Sequence, residues 1–427
     1  MILSRDDTIF ALSSGLPPAG IAVVRISGPS AGAVLDRLAG KRPAPRRASY
    51  RALRGADGAR LDQALILWLP GPETATGEDL VEFHLHGGRA VVAAVLAAIG
   101  EIKGTRAAQA GEFTRRAFEN GRIDLAEAEG LADLLAAETE SQRQSALAMA
   151  EGGLGKRVAA WQAELLAMSA QLEAELDFSD EGDVSENDTE LLRQVIYVLV
   201  EDMAALFQAP GVERLRDGIT VALGGPTNSG KSSLFNALID REAAIVSDIE
   251  GTTRDRIEAP IALDGVPFLF IDTAGLRDSD DAIESIGVAR ARVALSTADL
   301  ILWLGDARDA PEGALQIAAK SDLGRSRPIV GLPVSARTGE GLVELKETLL
   351  VRARGLLPKP GALALNHRHR SILAETFGEL EIAIRSSDPL IIAEHFRNAR
   401  NHLDRLTGRA GVEDMLDALF SGLCIGK

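Results

Sequence analysis

The stretch GITVALGGPTNSGKSSLFNALI, residues 218–239, constrains this chain more than any other. An apolar run leads into Gly225-x-x-x-x-Gly230-Lys231-Ser232, and a helical pattern comes after it. Strand, glycine-rich loop and helix in that order define a phosphate-binding loop. The glycines let backbone N–H groups face phosphate oxygens without a Cβ in the way, and the helix N-terminus adds positive potential. Lys231 supplies a point charge to the β/γ-oxygens, and the Ser232 hydroxyl can ligate Mg²⁺. The candidate nucleotide contacts here are Asn228, Ser229, Gly230, Lys231, Ser232 and Ser233.

Such a loop serves ATP and GTP alike, so the choice falls to the downstream segments. PFLFIDTAG ends an apolar strand in Asp272-Thr273-Ala274-Gly275, the D-x-x-G arrangement of GTPases. Between the two lies SDIEGTTRD, which offers Ser247, Asp248, Ile249, Glu250, Gly251, Thr252 and Thr253 as switch residues. Ser335-Ala336-Arg337 has the form of the loop that packs behind a guanine base. Four elements in order make AAKSDL the base reader, with Lys320 and Asp322 in place and Ala319 where an asparagine is usual. Asp322 can accept from the N1–H and N2–H₂ edge of guanine, which adenine does not offer. Ala319 loses amide contacts that are worth ~1–3 kcal/mol, so weaker nucleotide binding is expected. The segment between ILWLGD and AAKSDL is also too short to hold a full crossover helix comfortably.

The usual water-orienting glutamine after the D-x-x-G glycine is replaced by Leu276. Asp278, Asp280, Asp281 and Glu284 lie just beyond, and chemistry alone does not choose among them. Arg254 and Arg277 are near, but neither is assignable as an arginine finger. A monovalent cation beside the phosphates could do the same electrostatic work, with Asn228 and the switch loop as oxygen donors.

The texture of the chain divides it into four segments. Residues 1–118 mix β-like runs (IAVVRISG, ALILWLPG, DLVEFHLHGG) with a helix-like VVAAVLAAIG, an α+β pattern. Residues 119–212 are rich in Ala, Leu, Glu and Gln at amphipathic spacing, a helical bundle whose Trp and Leu positions form core. Residues 213–357 carry the α/β nucleotide domain, and helical texture returns over 358–427. The economical arrangement is an α/β domain inserted into a discontinuous helical domain.

Lys and Arg number 46 against 62 Asp and Glu, a net charge of −16 that disfavours a broad nucleic-acid-binding surface. Lys41, Arg42, Arg46, Arg47, Arg51, Arg54 and Arg60 are the local exception, either a solvated loop or a contact for phosphate or an acidic partner. The single cysteine, Cys424, fits a reducing compartment; no 18-residue apolar run and no export signal stand out, so a cytoplasmic protein is expected. The His84-x-His86 and His367-x-His369 pairs lack partners for a tetrahedral metal site nearby.

GPTNSGKSSLFNAL, AAIVSDIEGTTRD, IDTAGLR with IESIG, and the terminal FSGLCIGK together resemble the MnmE (TrmE) family of tRNA-modification GTPases. RISG, GEDLVEFHLHGG and GEFTRRAFENGRIDLAEAEG extend the resemblance over the whole chain. It implies an amino-terminal folate-binding-like domain that forms a homodimer and holds 5-formyl- or methylenetetrahydrofolate. By matched motifs Arg25, Glu82, Arg122 and Lys427 would contact the folate, with arginine at 122 where the family often has lysine. Cys424 would lie near the modification centre as a candidate catalytic residue. The resemblance implies K⁺ at Asn228, Ser247, Ile249 and Thr252, Mg²⁺ at Ser232 and Thr253, and Glu284 as the water-orienting residue. It further implies a partner, the FAD-dependent MnmG, with which the protein would place a carboxymethylaminomethyl or aminomethyl group on C5 of the wobble uridine of certain tRNAs. The competing reading is a ribosome-assembly or regulatory GTPase acting by binding alone, which would need none of RISG, GEDLVEF or FSGLCIGK.

Overall fold

The computed structural model describes residues 7–177, 186–241, 258–273, 284–323, 330–410, 419–423 and 425–426. The chain forms two compact units, Met1–Ala132 with Asp404–Lys427, and Asp133–Leu403.

The first unit is built on a six-stranded sheet of β1 (Thr8–Leu12), β2 (Ala19–Ser27), β3 (Ser49–Arg54), β4 (Arg60–Leu69), β5 (Leu80–Gly87) and β6 (Thr105–Ala107). Their order is β3-β4-β5-β2-β1-β6, antiparallel throughout except for the β1–β6 pair. Alternation along each strand sorts the side chains. Val81, Phe83 and Leu85 of β5 are buried with Ala22, Val24 and Ile26 of β2 against α1 (Ala31–Ala39) and α2 (Arg89–Gly100). Arg25, Glu82, His84 and His86 have the opposite parity. A short α3 (Glu112–Glu119) leads to α4 (Leu125–Ala136), which starts on a reciprocal cap. Asp124 Oδ1 accepts from Glu127 N at 2.7 Å, and Glu127 Oε2 accepts from Asp124 N at 2.6 Å. The chain terminus returns here: Phe420 and Leu423 are buried with Leu125 and Ala128, and Ile425 forms a β-bridge with Ala110.

The second unit contains α5 (Glu140–Ala150), α6 (Gly153–Asp177), α7 (Glu186–Gln208), the one-turn α8 (Glu213–Arg216), then β7 (Ile219–Gly224), α9 (Lys231–Arg241), β8 (Glu258–Leu263), β9 (Val266–Asp272), α10 (Glu284–Thr297), β10 (Leu300–Trp303), β11 (Leu315–Ala319), β12 (Leu332–Val334) and α11 (Leu342–Arg354). Two more helices, α12 (His367–Arg385) and α13 (Pro389–Thr407), complete it. α6 buries Leu154, Val158, Trp161, Leu165, Met168 and Leu172, one helical stripe. α12 is anchored to the end of α7, because Arg370 donates to the carbonyls of Phe207 and Ala209 while Phe377 meets Phe207 edge-on at 5.5 Å. One stretch, Leu192–Arg216, is long and apolar enough to cross a membrane by length and composition, which amends the expectation that none would be. Its Leu192, Ile196, Leu199 and Met203 are buried at bundle spacing, and its Asp202 accepts from Trp161 Nε1 at 2.8 Å.

The second sheet runs β12-β11-β10-β7-β9-β8, parallel apart from β8. Ile219, Val221 and Leu223 of β7, Phe268 and Phe270 of β9, and Leu302 of β10 share one buried cluster with Leu234 and Leu238 of α9 and Leu345 and Leu349 of α11. Between β10 and β11, residues 304–314 contain no α-helix, only a single 3₁₀ turn at Ala307–Asp309 capped by Asp306. The half-buried Trp303 ring lies over Gly224 instead: a Cβ there would sit 2.7 Å from its Cε3 and 3.0 Å from Leu295 Cδ2.

Candidate nucleotide-binding site

The phosphate loop joins β7 to α9, and its backbone is turned by residues of positive φ: Gly225 (139°), Asn228 (60°) and Gly230 (103°). A Cβ on Gly225 would lie 3.0 Å from the carbonyl carbon of Leu304, so this position has room for glycine alone. Lys231 is 4 % exposed, and its Nζ donates to the carbonyls of Gly225 at 3.0 Å and Pro226 at 2.8 Å. The ammonium is thereby curled over the concave side of its own loop. The Ser229 hydroxyl is buried with no hydrogen-bond partner among the described residues, an arrangement that suits a polar ligand. Ser232 and Ser233 are exposed at the start of α9.

The neighbouring strand ends supply the rest. Asp272 pairs in register with Leu223, is 4 % exposed, and closes β9. Thr273 beside it donates its hydroxyl to Leu223 O at 2.6 Å, fixing the D-x-x-G entrance to the strand that feeds the phosphate loop. At the end of β11, Lys320 adopts a φ of 61° and its Nζ donates to Asn228 O at 2.7 Å. Asp322 accepts from Ser335 Oγ at 2.7 Å and from Arg337 Nε at 2.8 Å. The Ser335 hydroxyl, and after it the Arg337 guanidinium, hold the Asp322 carboxyl below the usual carboxylate range. It is therefore an ionised acceptor at neutral pH, as reading the guanine edge demands. Gly230, Ser233, Ala319, Lys320, Asp322 and Arg337 line one pocket of about 200 Å³, completed by Ala336 and three apolar residues. The phosphate and base elements, far apart in sequence, thus meet around a single cavity.

Several expected residues lie outside the described set: Ser247, Asp248, Ile249, Glu250, Gly251, Thr252 and Thr253, then Ala274 and Gly275, and finally Cys424 and Lys427. Arg254, Leu276, Arg277, Asp278, Asp280 and Asp281 also lie outside it. Glu284 is the first residue of α10, with its side chain beyond description. Among the described residues no group of three or more His, Cys, Asp or Glu side chains could hold a metal. His84 and His86 instead approach Glu82 (3.4 Å) and Asp62 (2.8 Å), and His369 caps α12 with Asn366.

In the first unit Arg25 and Glu82 pair across β2 and β5, Nη2 to Oε1 at 2.9 Å, on the sheet face opposite α1 and α2. The Arg25 guanidinium stands 5.9 Å from the Phe113 ring centre. Arg122 is exposed, and no hydrogen bond links it to that pair among the described residues. Gly426, next to Lys427, is buried where its carbonyl accepts from Ser13 Oγ at 2.7 Å. Sequence reasoning missed the ionic core beneath these motifs. Arg106 and Arg116 both bond Glu112, which is 2 % exposed, and Arg116 also reaches Glu78 at 3.1 Å. The acids and arginines of GEDL and GEFTRRAF were the available signal.

A family model described as the MnmE helical domain matches residues 125–424, and one described as the GTP-binding protein TrmE N-terminus matches residues 8–122. The tRNA modification GTPase MnmE of Erythrobacter litoralis is 55 % identical over 99 % of this chain and 100 % of its own length. That of Rhizorhabdus wittichii is 57 % identical over 99 % of this chain and 97 % of its own. Among solved structures, the FeoB G-domain from Methanococcus jannaschii aligns with 32 % of this chain and 98 % of its own, at 24 % identity and a TM-score of 0.24.

Proposed function

Because the chain belongs to the MnmE family of tRNA modification GTPases, we propose that it hydrolyses GTP in support of tRNA wobble-uridine modification. The observation that carries this reading is the pocket in which Asp322, Lys320 and Gly230 meet. Asp322 selects guanine, Lys231 and the loop amides bind the phosphates, and Ser232 with Thr253 would hold Mg²⁺, which supplies charge neutralisation on the phosphate oxygens. Asn228 with Ser247, Ile249 and Thr252 would hold K⁺, which supplies positive charge where an arginine finger otherwise stands. With Leu276 unable to orient water, Glu284 is taken for that role from its match to the family's IESIG motif.

The other domains take their roles from the same family membership. The nucleotide domain, residues 213–357, is inserted between helical segments 119–212 and 358–427. The amino-terminal domain, 1–118, dimerises and takes tetrahydrofolate as one-carbon source. Arg25, Glu82, Arg122 and Lys427 are its contacts, and the glutamyl carboxylates of a folate suit Arg25, Arg122 and Lys427. The exposed Ile21 and Leu65, on the same sheet face of β2 and β4, favour a paired sheet face. Cys424 sits at the modification centre, and the flavoprotein MnmG supplies FAD.

The test is GTP hydrolysis by the purified protein in KCl against NaCl at equal ionic strength. Strong acceleration by K⁺ supports the Asn228 cation site and paired nucleotide domains. Equal, slow rates would move the binding-only GTPase ahead.

A further inference from the structure

Residues 37–60 carry eight Lys and Arg against one acid, Asp57, an excess of seven positive charges in a chain of net charge −16. They form the end of α1, the turn after it, the edge strand β3 and its hairpin to β4. One or two charged side chains suffice to keep an edge strand from pairing with another sheet. This edge has far more than that.

How the guanidinium groups are held is informative. Arg42 is neutralised by Asp36 at 2.9 Å and lies 5.1 Å from the centre of the Trp68 ring. Three others are held by neutral main-chain carbonyls. Arg51 Nη1 donates to Lys41 O at 2.8 Å, Arg54 Nη1 to Gly58 O at 3.0 Å, and Arg46 to Glu73 O. A carbonyl orients a guanidinium without cancelling its charge, and leaves most of its N–H donors available. The Arg47 and Arg60 guanidinium groups make no hydrogen bond among the described residues. Tyr50, 65 % exposed, adds an aromatic ring on the same strand.

We infer that the β3 edge and its flanking turns dock the phosphate backbone of RNA. Resting on the function proposed above, that RNA is the tRNA substrate. Clustered arginines with uncancelled charge match phosphodiester oxygens, and an exposed tyrosine gives an unpaired base a surface to stack on. An acidic polypeptide would meet the same charge, but it has no use for the ring and no regular row of oxygens.

The experiment is fluorescence anisotropy of labelled bulk tRNA with the full-length chain from 50 to 200 mM KCl. Arg47→Gln, Arg51→Gln, Arg54→Gln and Arg60→Gln in one variant should weaken binding about tenfold or more, and flatten the log–log salt slope by about three. GTP hydrolysis should be unchanged, since none of the four touches the nucleotide pocket. Because Arg51 and Arg54 also brace their loops, the double variant Arg47→Gln, Arg60→Gln is the second arm, with a slope change of roughly one and a half. Binding by the parent with an unaltered slope in both variants would overturn the inference and leave the tRNA reading standing. No binding by the parent would overturn both. Displacement of tRNA by polyglutamate as readily as by polyuridine of equal charge would reassign the edge to an acidic protein partner and overturn the RNA assignment.

Discussion

The ammonium of Lys320 donates to the main-chain carbonyl of Asn228 at 2.7 Å, and both residues hold a left-handed backbone, with φ of 61° and 60°. The loop proposed to read the base is thereby tied to the loop proposed to hold the phosphates. Such a tie keeps the two halves of the pocket at one spacing before any ligand arrives, which lowers the ordering cost of binding. Lys320→Met should weaken GDP and GTP together by ~1.5–3 kcal/mol, the range for a hydrogen bond to a charged group. Titration of a fluorescent GDP analogue reads this directly. Loss of GTP affinity alone would place the role of Lys320 elsewhere.

Ala319 closes β11 immediately before that lysine and is 8 % exposed. A Cβ added at Gly230 would stand 3.7 Å from the Ala319 Cβ, so the two loops approach closely here. An asparagine side chain at 319 has the phosphate loop within reach and restores amide contacts that alanine lacks. Ala319→Asn should tighten GDP by ~1–3 kcal/mol. Unchanged affinity by calorimetry would mean that AAKSDL does not border the base.

Glu112 lies between Arg106 and Arg116 with 2 % exposure. Burial alone would raise its pKa, but the hydrogen bonds from Arg106 and the Gln109 amide outweigh this and leave it depressed. A depressed carboxylate contributes stability that is present above its unfolded pKa, roughly 4.3, and lost as pH falls through the folded value. Melting of the parent should therefore hold down to about pH 4.5 and decline below it. Glu112→Gln leaves the buried Arg116 and the partly exposed Arg106 with one acid each, Glu78 and Asp7, and should cost ~3 kcal/mol at neutral pH. Its melting temperature should also vary less over the acid range.

The nucleotide loops were legible in sequence because each is a contiguous motif whose chemistry requires particular residues at fixed spacing. GGPTNSGKS, DTAG and SAR needed only order to be joined, and the pocket brings together described members of the first and the last. The Arg25–Glu82 pair was legible only as two separate motif positions; the register of β2 against β5 makes it one feature. The network of Glu78, Arg106, Glu112 and Arg116 escaped because its partners are up to 38 residues apart, and charged residues in amphipathic segments ordinarily read as surface. The Lys320–Asn228 tie, 92 residues apart, depends on two positive-φ positions that are not glycine, and composition gives no hint of those.

The missing crossover helix was visible as a short segment, but its replacement was not. Trp303 lies against Gly224, its Nε1 donates to Asp306 O at 2.9 Å, and a Cβ on Gly305 would come within 2.9 Å of both that nitrogen and Pro226 Cδ. One indole thus wedges the end of β10 against the first turn of the phosphate loop, where Leu304 N also donates to Gly224 O at 2.8 Å. Removing it opens space directly behind Gly224 and Pro226 that no helix is present to fill. A fully buried tryptophan costs ~3–5 kcal/mol when truncated to alanine, and a half-buried one proportionally less, so Trp303→Ala should lose about 1–3 kcal/mol of stability. Because the ring touches the loop and not the base-reading residues, the loss of GDP and GTP affinity should be accompanied by unchanged preference for guanine over adenine. Trp303→Phe keeps the ring on Gly224 but loses the bond to Asp306 O, and should recover most of the affinity. Equal defects in both variants, measured by the same nucleotide titration, would show that the hydrogen bond and not the packing supports the loop.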